Sequence, residues 1–265
     1  MSVRPQHETE LVVTAASKVF SGRRGAEPVH AVSEASLRAH SGRFVAIVGE
    51  SGSGKSTLAR MVLGLIPATS GTIELGGVEL AQMSSSQRKQ YRRTVQAVLQ
   101  DPAGSLNPRK TVRRAIGEVL RLHGVARSAR DTDLRIAEAL ELVGLTPPEA
   151  FAHRYPHELS GGQRQRVLIA RAVVLDPRII VADEAVSALD ASVKAGILRL
   201  LTSLQERLGV GYLFITHDLP VVEKVADEVY VMKSGRIVEH GPKERVFAAP
   251  EHPYTRELLS ASLVL

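Results

Sequence analysis

Cysteine and tryptophan are both absent from this 265-residue sequence, and aromatic residues make up only 4% of it. The lack of cysteine excludes disulfides, thiolate metal sites and cysteine-bound clusters. The few aromatic residues do not alternate with basic ones, which argues against a platform for stacking nucleic-acid bases. No stretch approaches the roughly 18 consecutive apolar residues of a membrane-spanning helix, and the polar N-terminal residues do not resemble a secretory signal. We therefore expect a chain that does not itself cross a membrane.

Positive charge is in excess, with a formal net charge of +6 and a pI near 9.8. The excess favours anionic partners such as nucleotides, phospholipid head groups or nucleic acids, although an arginine-rich solvated surface accounts for most of it. The length suits one large α/β domain, or such a core with a modest inserted subdomain.

The most informative stretch, residues 49–57, fits the phosphate-loop pattern of glycine, four free positions and Gly-Lys-Ser. An apolar run at 44–48 predicts a buried strand before it, and apolar spacing after it predicts a helix. Lys55 supplies a positive charge for the terminal phosphates, and Ser56 supplies a hydroxyl for Mg²⁺. The chain is predicted to bind a nucleoside triphosphate through Gly49, Glu50, Ser51, Gly52, Ser53, Gly54, Lys55, Ser56 and Thr57.

Apolar runs and turn residues outline a sheet around this loop. Residues 11–15 and 32–37 are predicted strands, 71–77 has the glycines of a hairpin, and 95–99 is a further buried strand. Antiparallel strands are therefore expected beside a parallel core. Phe20 follows the first strand, where an aromatic ring could stack on a nucleotide base, although a single Phe is more often a core residue.

From residue 103 to residue 158 the pattern changes, because strands disappear and two helical patterns take their place. In the second pattern Ile136, Ala139, Leu140 and Val143 lie at helical spacing between charged residues, and Pro147-Pro148 is predicted to end it. These residues predict an inserted helical subdomain.

A pair of acidic residues, Asp183 and Glu184, narrows the classes of nucleotide-binding protein to which the chain could belong. Residues 179–182 form a short apolar run that ends in Asp183 and Glu184. A carboxylate at such a strand end can hold Mg²⁺, which is the role predicted for Asp183. The adjacent Glu184 can orient and deprotonate a water that attacks the γ-phosphate. The alternative is that the pair only caps the start of a helix.

Ser160, Gly161, Gly162 and Gln163 form a second glycine-rich turn that opens a second helix. A helix N-terminus of this kind favours anions, yet one phosphate loop needs only one such cradle. The economical explanation is that the second cradle serves the nucleotide of an apposed subunit. A plain capping turn is the alternative.

Taken in order, these motifs resemble an ABC ATPase cassette. The resemblance rests on the phosphate loop, Gln100, the pentapeptide that begins at Leu159, residues 179–184, residues 187–190 and His217. It covers nearly the whole chain. It implies one cassette over residues 1–265, with a RecA-like P-loop NTPase core of the α/β class, a mixed sheet, an antiparallel β subdomain and a helical subdomain at roughly 103–158.

The resemblance also implies a head-to-tail pair that encloses two ATP molecules. Lys55 and Ser56 would act in cis, and residues 160–163 would act in trans. Gln100 would contact Mg²⁺ and water and report to membrane domains. Asp190 would face the opposite site, His217 would contact the γ-phosphate and the attacking water, and Phe20 would stack on adenine.

A narrower similarity is to the dipeptide, oligopeptide and nickel importer branch. It rests on Gln100-Asp101-Pro102 with residues 105–109, on residues 183–190 and on His252-Pro253-Tyr254-Thr255. It implies a subunit on the cytoplasmic face of the membrane, with a second ATPase subunit, two transmembrane permease subunits and, indirectly, an extracytoplasmic solute-binding protein. The cargo stays open among peptides, nickel chelates and other small solutes.

Two alternatives come from other classes of protein. A non-transport ABC ATPase acting on nucleic acid or ribosomes would carry a long coiled-coil insertion or a second cassette, and the sequence shows neither. A small-molecule kinase would leave the Ser-Gly-Gly-Gln turn without an explanation. No nucleic-acid partner is therefore expected.

Overall fold

A computed structural model describes residues 9–21, 27–99, 102–187 and 189–262. Within these residues the strands are β1 (Glu10–Phe20), β2 (Val29–His40), β3 (Phe44–Val48), β4 (Ser70–Leu75), β5 (Val78–Glu79), β6 (Val95–Val98), β7 (Ile179–Asp183), β8 (Gly211–Ile215), β9 (Glu228–Lys233) and β10 (Arg236–Pro242).

The α-helices of the same residues are α1 (Lys55–Val62), α2 (Ser85–Thr94), α3 (Pro102–Ser105), α4 (Val112–His123), α5 (Ala129–Leu142), α6 (Pro148–Ala152), α7 (Gly161–Val173), α8 (Ala191–Leu208), α9 (Leu219–Val225), α10 (Lys243–Ala248) and α11 (Pro253–Ser262). Two 3₁₀ turns occur at Leu80–Gln82 and Pro156–Glu158. Across the described ranges, none of these helices has both the length and the apolar character needed to span a membrane.

The chain divides into two units. The first unit contains Met1–Arg88 and Gly211–Leu265, and the second contains Lys89–Val210. The predicted helical segment at 103–158 lies inside the second unit.

One sheet of the first unit is antiparallel, with strand order β2-β1-β4-β5. Its strands β1 and β2 extend well beyond the predicted 11–15 and 32–37, because residues 16–20 of β1 pair with residues 29–35 of β2 although few of them are buried. Gly76 and Gly77 turn the chain between β4 and β5, as the glycine pattern at 71–77 predicts. The predicted antiparallel strands are confirmed.

The other strands of the first unit surround β3, whose residues are all buried. It pairs in parallel with β8 on one side and with β9 on the other, and β9 pairs antiparallel with β10. The Phe44 ring packs against Tyr212 and Phe214 at centroid distances of 4.9 and 5.3 Å. Burial on both faces explains why β3 is a continuous apolar run. The arrangement places the phosphate loop at the carboxyl end of a central parallel strand, where ligands of α/β folds bind.

In the second unit β6 pairs in parallel with β7, whose residues are all buried. Helix α5 packs on α4, α6 and α7, and its predicted apolar face (Ile136, Ala139 and Leu140, with Val143 after its end) is buried. The expectation of two helices was too simple, because four helices, α3 to α6, lie in the predicted segment. Pro148 begins α6 rather than ending α5, which stops at Leu142. Proline suits the first helical position because the N–H it lacks would have no partner there.

Candidate functional site

The phosphate loop joins β3 to α1, and its glycines are required by close packing. A Cβ on Gly49 would lie 2.1 Å from the Met232 carbonyl oxygen, and one on Gly54 would lie 2.3 Å from that of Ala31. Both residues have positive φ, 149° and 104°, which disfavours any side chain. Gly52 also has positive φ, 80°, but no atom lies within 4 Å of its built Cβ. The backbone of the loop is therefore fixed from behind by β2 and β9.

Lys55 is the first residue of α1 and is only 6% exposed. Its ammonium donates to the carbonyl oxygens of Gly49 and Glu50, each at 2.7 Å, and to Ser53 Oγ at 3.2 Å. The charge is thus held within the curve of the loop. Ser56 follows it and is half-buried. Because the first N–H groups of a helix have no acceptor inside the helix, they are directed toward the same loop.

Two contacts that hold the loop were not found from the sequence. The backbone N–H of Gly235 donates to the Ser53 carbonyl at 2.9 Å. The backbone N–H of Glu50 donates to the Tyr254 hydroxyl at 3.1 Å. Tyr254 lies 204 residues away in the His-Pro-Tyr-Thr stretch, which the sequence showed only as a resemblance. The signal in the sequence was a single aromatic residue, Tyr254, in an otherwise polar stretch.

Phe20 and His217 also belong to the first unit. Phe20 is the last residue of β1, not a residue after it, and its ring is 42% exposed with Lys18 Nζ 5.3 Å from its centroid. His217 is exposed between β8 and α9. Asp218 next to it caps α9, since its Oδ1 accepts the N–H of Val221 at 3.2 Å. The roles of Phe20 and His217 toward the nucleotide stay predictions.

Asp183 and Glu184 lie in the second unit, at the end of β7. Asp183 is its last residue and is 8% exposed. Glu184 is half-buried and has a φ of 52°, a left-handed conformation that costs a non-glycine residue about 1–3 kcal/mol. Ser187 closes the turn, because its N–H and its hydroxyl donate to the Glu184 carbonyl at 3.2 and 2.9 Å. Strain of this kind concentrates at functional sites.

The helix-capping alternative for this acidic pair finds no support. The next helix, α8, begins at Ala191 and is capped by Asp190 instead. The Asp190 carboxylate accepts the N–H of Val193 at 3.0 Å and the Ser192 hydroxyl at 2.9 Å. These two hydrogen bonds hold the pKa of Asp190 below its ordinary value, the Val193 bond being the stronger cause. Asp190 is therefore ionised and exposed at a helix start.

The Ser-Gly-Gly-Gln turn opens α7 with a reciprocal cap. Ser160 Oγ accepts the N–H of Gln163 at 3.2 Å, and Gln163 Oε1 accepts the N–H of Ser160 at 3.0 Å. A Cβ on Gly162 would lie 2.7 Å from Val193 Cγ1, so this glycine allows the start of α7 to approach the start of α8. Ser160 and Gly161 are exposed. The turn is thus rigid, open to solvent and close to Asp190.

The predicted site residues therefore fall in two groups. The phosphate loop, Phe20 and His217 belong to the first unit, and Asp183, Glu184, the 160–163 turn and Asp190 belong to the second. Gln100 lies outside the residues that the structure describes.

Comparison with known proteins identifies the family of the chain. Residues 32–187, more than half of the chain, match the model of the ABC transporter family. The chain belongs to the ABC transporter family. It is 49% identical over 233 residues to the glutathione import ATP-binding proteins GsiA of Salmonella paratyphi A and Escherichia coli K12. That alignment covers 88% of the chain but only 37% of each relative.

Solved structures agree with the family and show the cassette fold. A dimeric bacterial ABC transporter cassette, MJ0796, is 29% identical and superposes with a TM-score of 0.76, over 88% of this chain and 98% of that one. The cbiO1 protein from Clostridium perfringens, part of the cbiONQ transporter complex, is 28% identical with a TM-score of 0.77, over 90% of each chain. The predicted P-loop fold, with its mixed and antiparallel sheets, is confirmed.

The residues of the loop fit ATP. Neither Gly49 nor Gly54 has room for a Cβ, so the loop backbone carries no side chain at these two positions. The buried Lys55 ammonium matches the charge of a polyphosphate. A second solved structure of MJ0796 contains ADP and phosphate after hydrolysis. The predicted membership of the ABC transporter family is confirmed.

Proposed function

We propose that the chain is the ATP-hydrolysing subunit of an ABC importer for peptide-like small solutes. The observation that carries this proposal is its 49% identity to the glutathione import ATP-binding proteins. Glutathione is a small peptide, which agrees with the predicted peptide-importer branch. Both of these relatives are named for glutathione import and neither for nickel.

Two copies of such a subunit, or one copy with a homologous partner, would pair head to tail. The exposed Ser160 and Gly161 support this arrangement, because they present a helix N-terminus to an approaching molecule. In this pairing Lys55 and Ser56 act on the bound nucleotide in cis, and residues 160–163 act on the partner's nucleotide. Asp190, beside that turn, faces the same interface.

The chemistry is in-line attack of water on the γ-phosphate, which breaks the bond from this phosphorus to the bridging oxygen and leaves ADP and inorganic phosphate. When bound, Mg²⁺ would be held by Ser56, Asp183 and Gln100, and its charge would neutralise the phosphate oxygens. Lys55 holds the terminal phosphates through its buried ammonium. Glu184 takes the proton of the attacking water, and His217 contacts the γ-phosphate and that water.

The remaining partners follow from an importer's architecture. The chain would sit on the cytoplasmic face of the membrane, bound to two permease subunits that receive solute from an extracytoplasmic binding protein. The helical subdomain at 103–158, with Gln100 just before it, would contact a permease loop.

Purification of the tagged chain from the membranes of its own source organism tests this function. We expect two permease subunits and a second ATPase subunit to copurify. After reconstitution in proteoliposomes, the cognate binding protein loaded with glutathione or a dipeptide should stimulate ATP hydrolysis. The Glu184→Gln variant should copurify with the same subunits but show no stimulation. Recovery of ribosomes or nucleic acid in place of a permease would overturn the proposal.

A further inference from the structure

The C-terminal helix places one tyrosine against the phosphate loop. Tyr254 is the second residue of α11 and is 3% exposed. Its hydroxyl lies 3.1 Å from the backbone nitrogen of Glu50 and accepts that N–H. Both residues belong to the first unit. Tyr254 thus contacts the loop at Glu50, between Gly49 and Gly52, across 204 residues of sequence.

The position of Tyr254 is itself fixed by buried polar contacts. Glu239 on β10 is 7% exposed, and its carboxylate accepts the backbone N–H groups of Glu251 at 2.8 Å and His252 at 3.0 Å. His252 Nδ1 accepts the N–H of Tyr254 at 3.1 Å. Lys233 Nζ lies 4.3 Å from the centroid of the Tyr254 ring. The ring therefore has little freedom, and its hydroxyl is directed at one peptide group.

That peptide group connects Tyr254 to the catalytic lysine. The N–H of Glu50 and the carbonyl of Gly49 belong to the same planar peptide unit. Its N–H donates to the Tyr254 hydroxyl, and its carbonyl accepts from Lys55 Nζ at 2.7 Å. Because the unit is rigid, fixing its N–H end also fixes its carbonyl end. Hydrogen bonds in such a chain also polarise and strengthen each other.

We propose that Tyr254 is a positioning residue for ATP binding, which acts on Lys55 through the peptide between Gly49 and Glu50. Tyr254 fixes the orientation of this peptide, and the Gly49 carbonyl in turn holds the Lys55 ammonium in place before ATP binds. The proposal rests on the assignment of the phosphate loop as the nucleotide site.

The test is Tyr254→Phe, which removes the hydroxyl but keeps the ring between its neighbours. We expect the Kd for a fluorescent ATP analogue with Mg²⁺ to rise about two- to tenfold, as for the loss of one hydrogen bond. The kcat at saturating ATP should stay within about twofold of the parental value, because bound phosphates restore the loop geometry. A general loss of structure would not produce this split between affinity and turnover.

Tyr230→Phe is the matched control. Its hydroxyl is in the same unit, is also buried and also accepts a backbone N–H, that of Arg38 at 3.2 Å. Both variants should unfold at similar, slightly lowered temperatures without nucleotide, and only Tyr254→Phe should lose affinity. An unchanged Kd in Tyr254→Phe, or the same loss in both variants, would overturn the positioning role. If the parental chain itself bound no ATP analogue, the nucleotide site on which the proposal rests would be wrong.

Discussion

At the scale of single residues, Lys55 holds a positive charge in a buried position, where an ammonium needs hydrogen-bond acceptors. It is buried, and its ammonium donates to two carbonyls and a hydroxyl. Such a group can move from these oxygens to stronger phosphate acceptors, since hydrogen bonds between charged partners are about twice as strong as neutral ones.

Removing that charge by Lys55→Ala should weaken MgATP binding about tenfold or more and abolish hydrolysis, because charged hydrogen bonds contribute about 1.5–3 kcal/mol each. Binding of the fluorescent analogue and phosphate release are the measurements. Lys224→Ala is the control, since Lys224 is exposed on α9 and should change neither. Normal hydrolysis by Lys55→Ala would remove the lysine from the site.

Glu184 separates binding from chemistry. Glu184→Gln keeps the size and hydrogen-bonding capacity of the side chain but removes the basic carboxylate. Hydrolysis should fall by about two to four orders of magnitude while ATP affinity is kept. Single-turnover hydrolysis, with nucleotide retention and mass by size exclusion, should show ATP trapped in a long-lived pair. A variant that hydrolyses ATP at the parental rate would rule out Glu184 as the base.

At the scale of elements, the start of α7 has two separable duties. The cap formed by Ser160 and Gln163 stabilises the helix, and the exposed face of the same turn is proposed to meet the partner's nucleotide. A pair of substitutions at one position distinguishes these duties.

Ser160→Ala and Ser160→Arg should each lower the free energy of unfolding by about 1 kcal/mol, because both lose the cap. Only Ser160→Arg adds a bulky cation at the interface. It should leave ATP binding to the isolated monomer intact but remove ATP-dependent pairing and hydrolysis. Light scattering with MgATP, urea unfolding and ATPase assays are the measurements. Equal loss of pairing in both variants would point to the cap rather than to contact in trans.

At the scale of the whole molecule, the pH dependence of stability should contain a contribution from Glu239. Burial of this carboxyl opposes its ionisation, but the Thr255 hydroxyl beside it and the N–H groups of Glu251 and His252 favour the carboxylate more strongly. The pKa of Glu239 is therefore lowered from its ordinary value of 4.5. Because the pKa is lower in the folded state, the stabilisation from this carboxylate is fully present above the unfolded pKa of 4.5. It is lost as the pH falls from there through the lowered pKa of the folded state.

Glu239→Gln should accordingly destabilise the chain most near neutral pH. The difference from the parental free energy of unfolding should shrink as the pH falls below 4.5 and through the lowered pKa of the folded state. Urea unfolding from neutral pH into the acid range measures it. A difference that stays constant with pH would show that the contacts of Glu239 do not depend on its ionisation.

Local patterns predicted much of the fold and the site, and they failed where length or number depended on packing. Burial on both faces makes β3 and β7 continuous apolar runs, so these strands and the loops after them were predicted. The full lengths of β1 and β2 were not, because their outer halves are stabilised by pairing with each other. Pro148 was predicted to end a helix and instead begins one, since proline breaks a helix only inside it.

The sequence by itself predicted the candidate chemistry, because Gly49, Gly54, Lys55, Asp183 and Glu184 each lie at a short, recognisable spacing after an apolar run. Only the tertiary structure decided what holds that chemistry in place. Tyr254 reaches the Glu50 amide across 204 residues of sequence, and the Ala31 and Met232 carbonyls leave no room for a Cβ behind the loop. Such contacts depend on which backbone groups come together in space. The local spacing of residue types cannot predict them, because the partners lie far apart in the sequence.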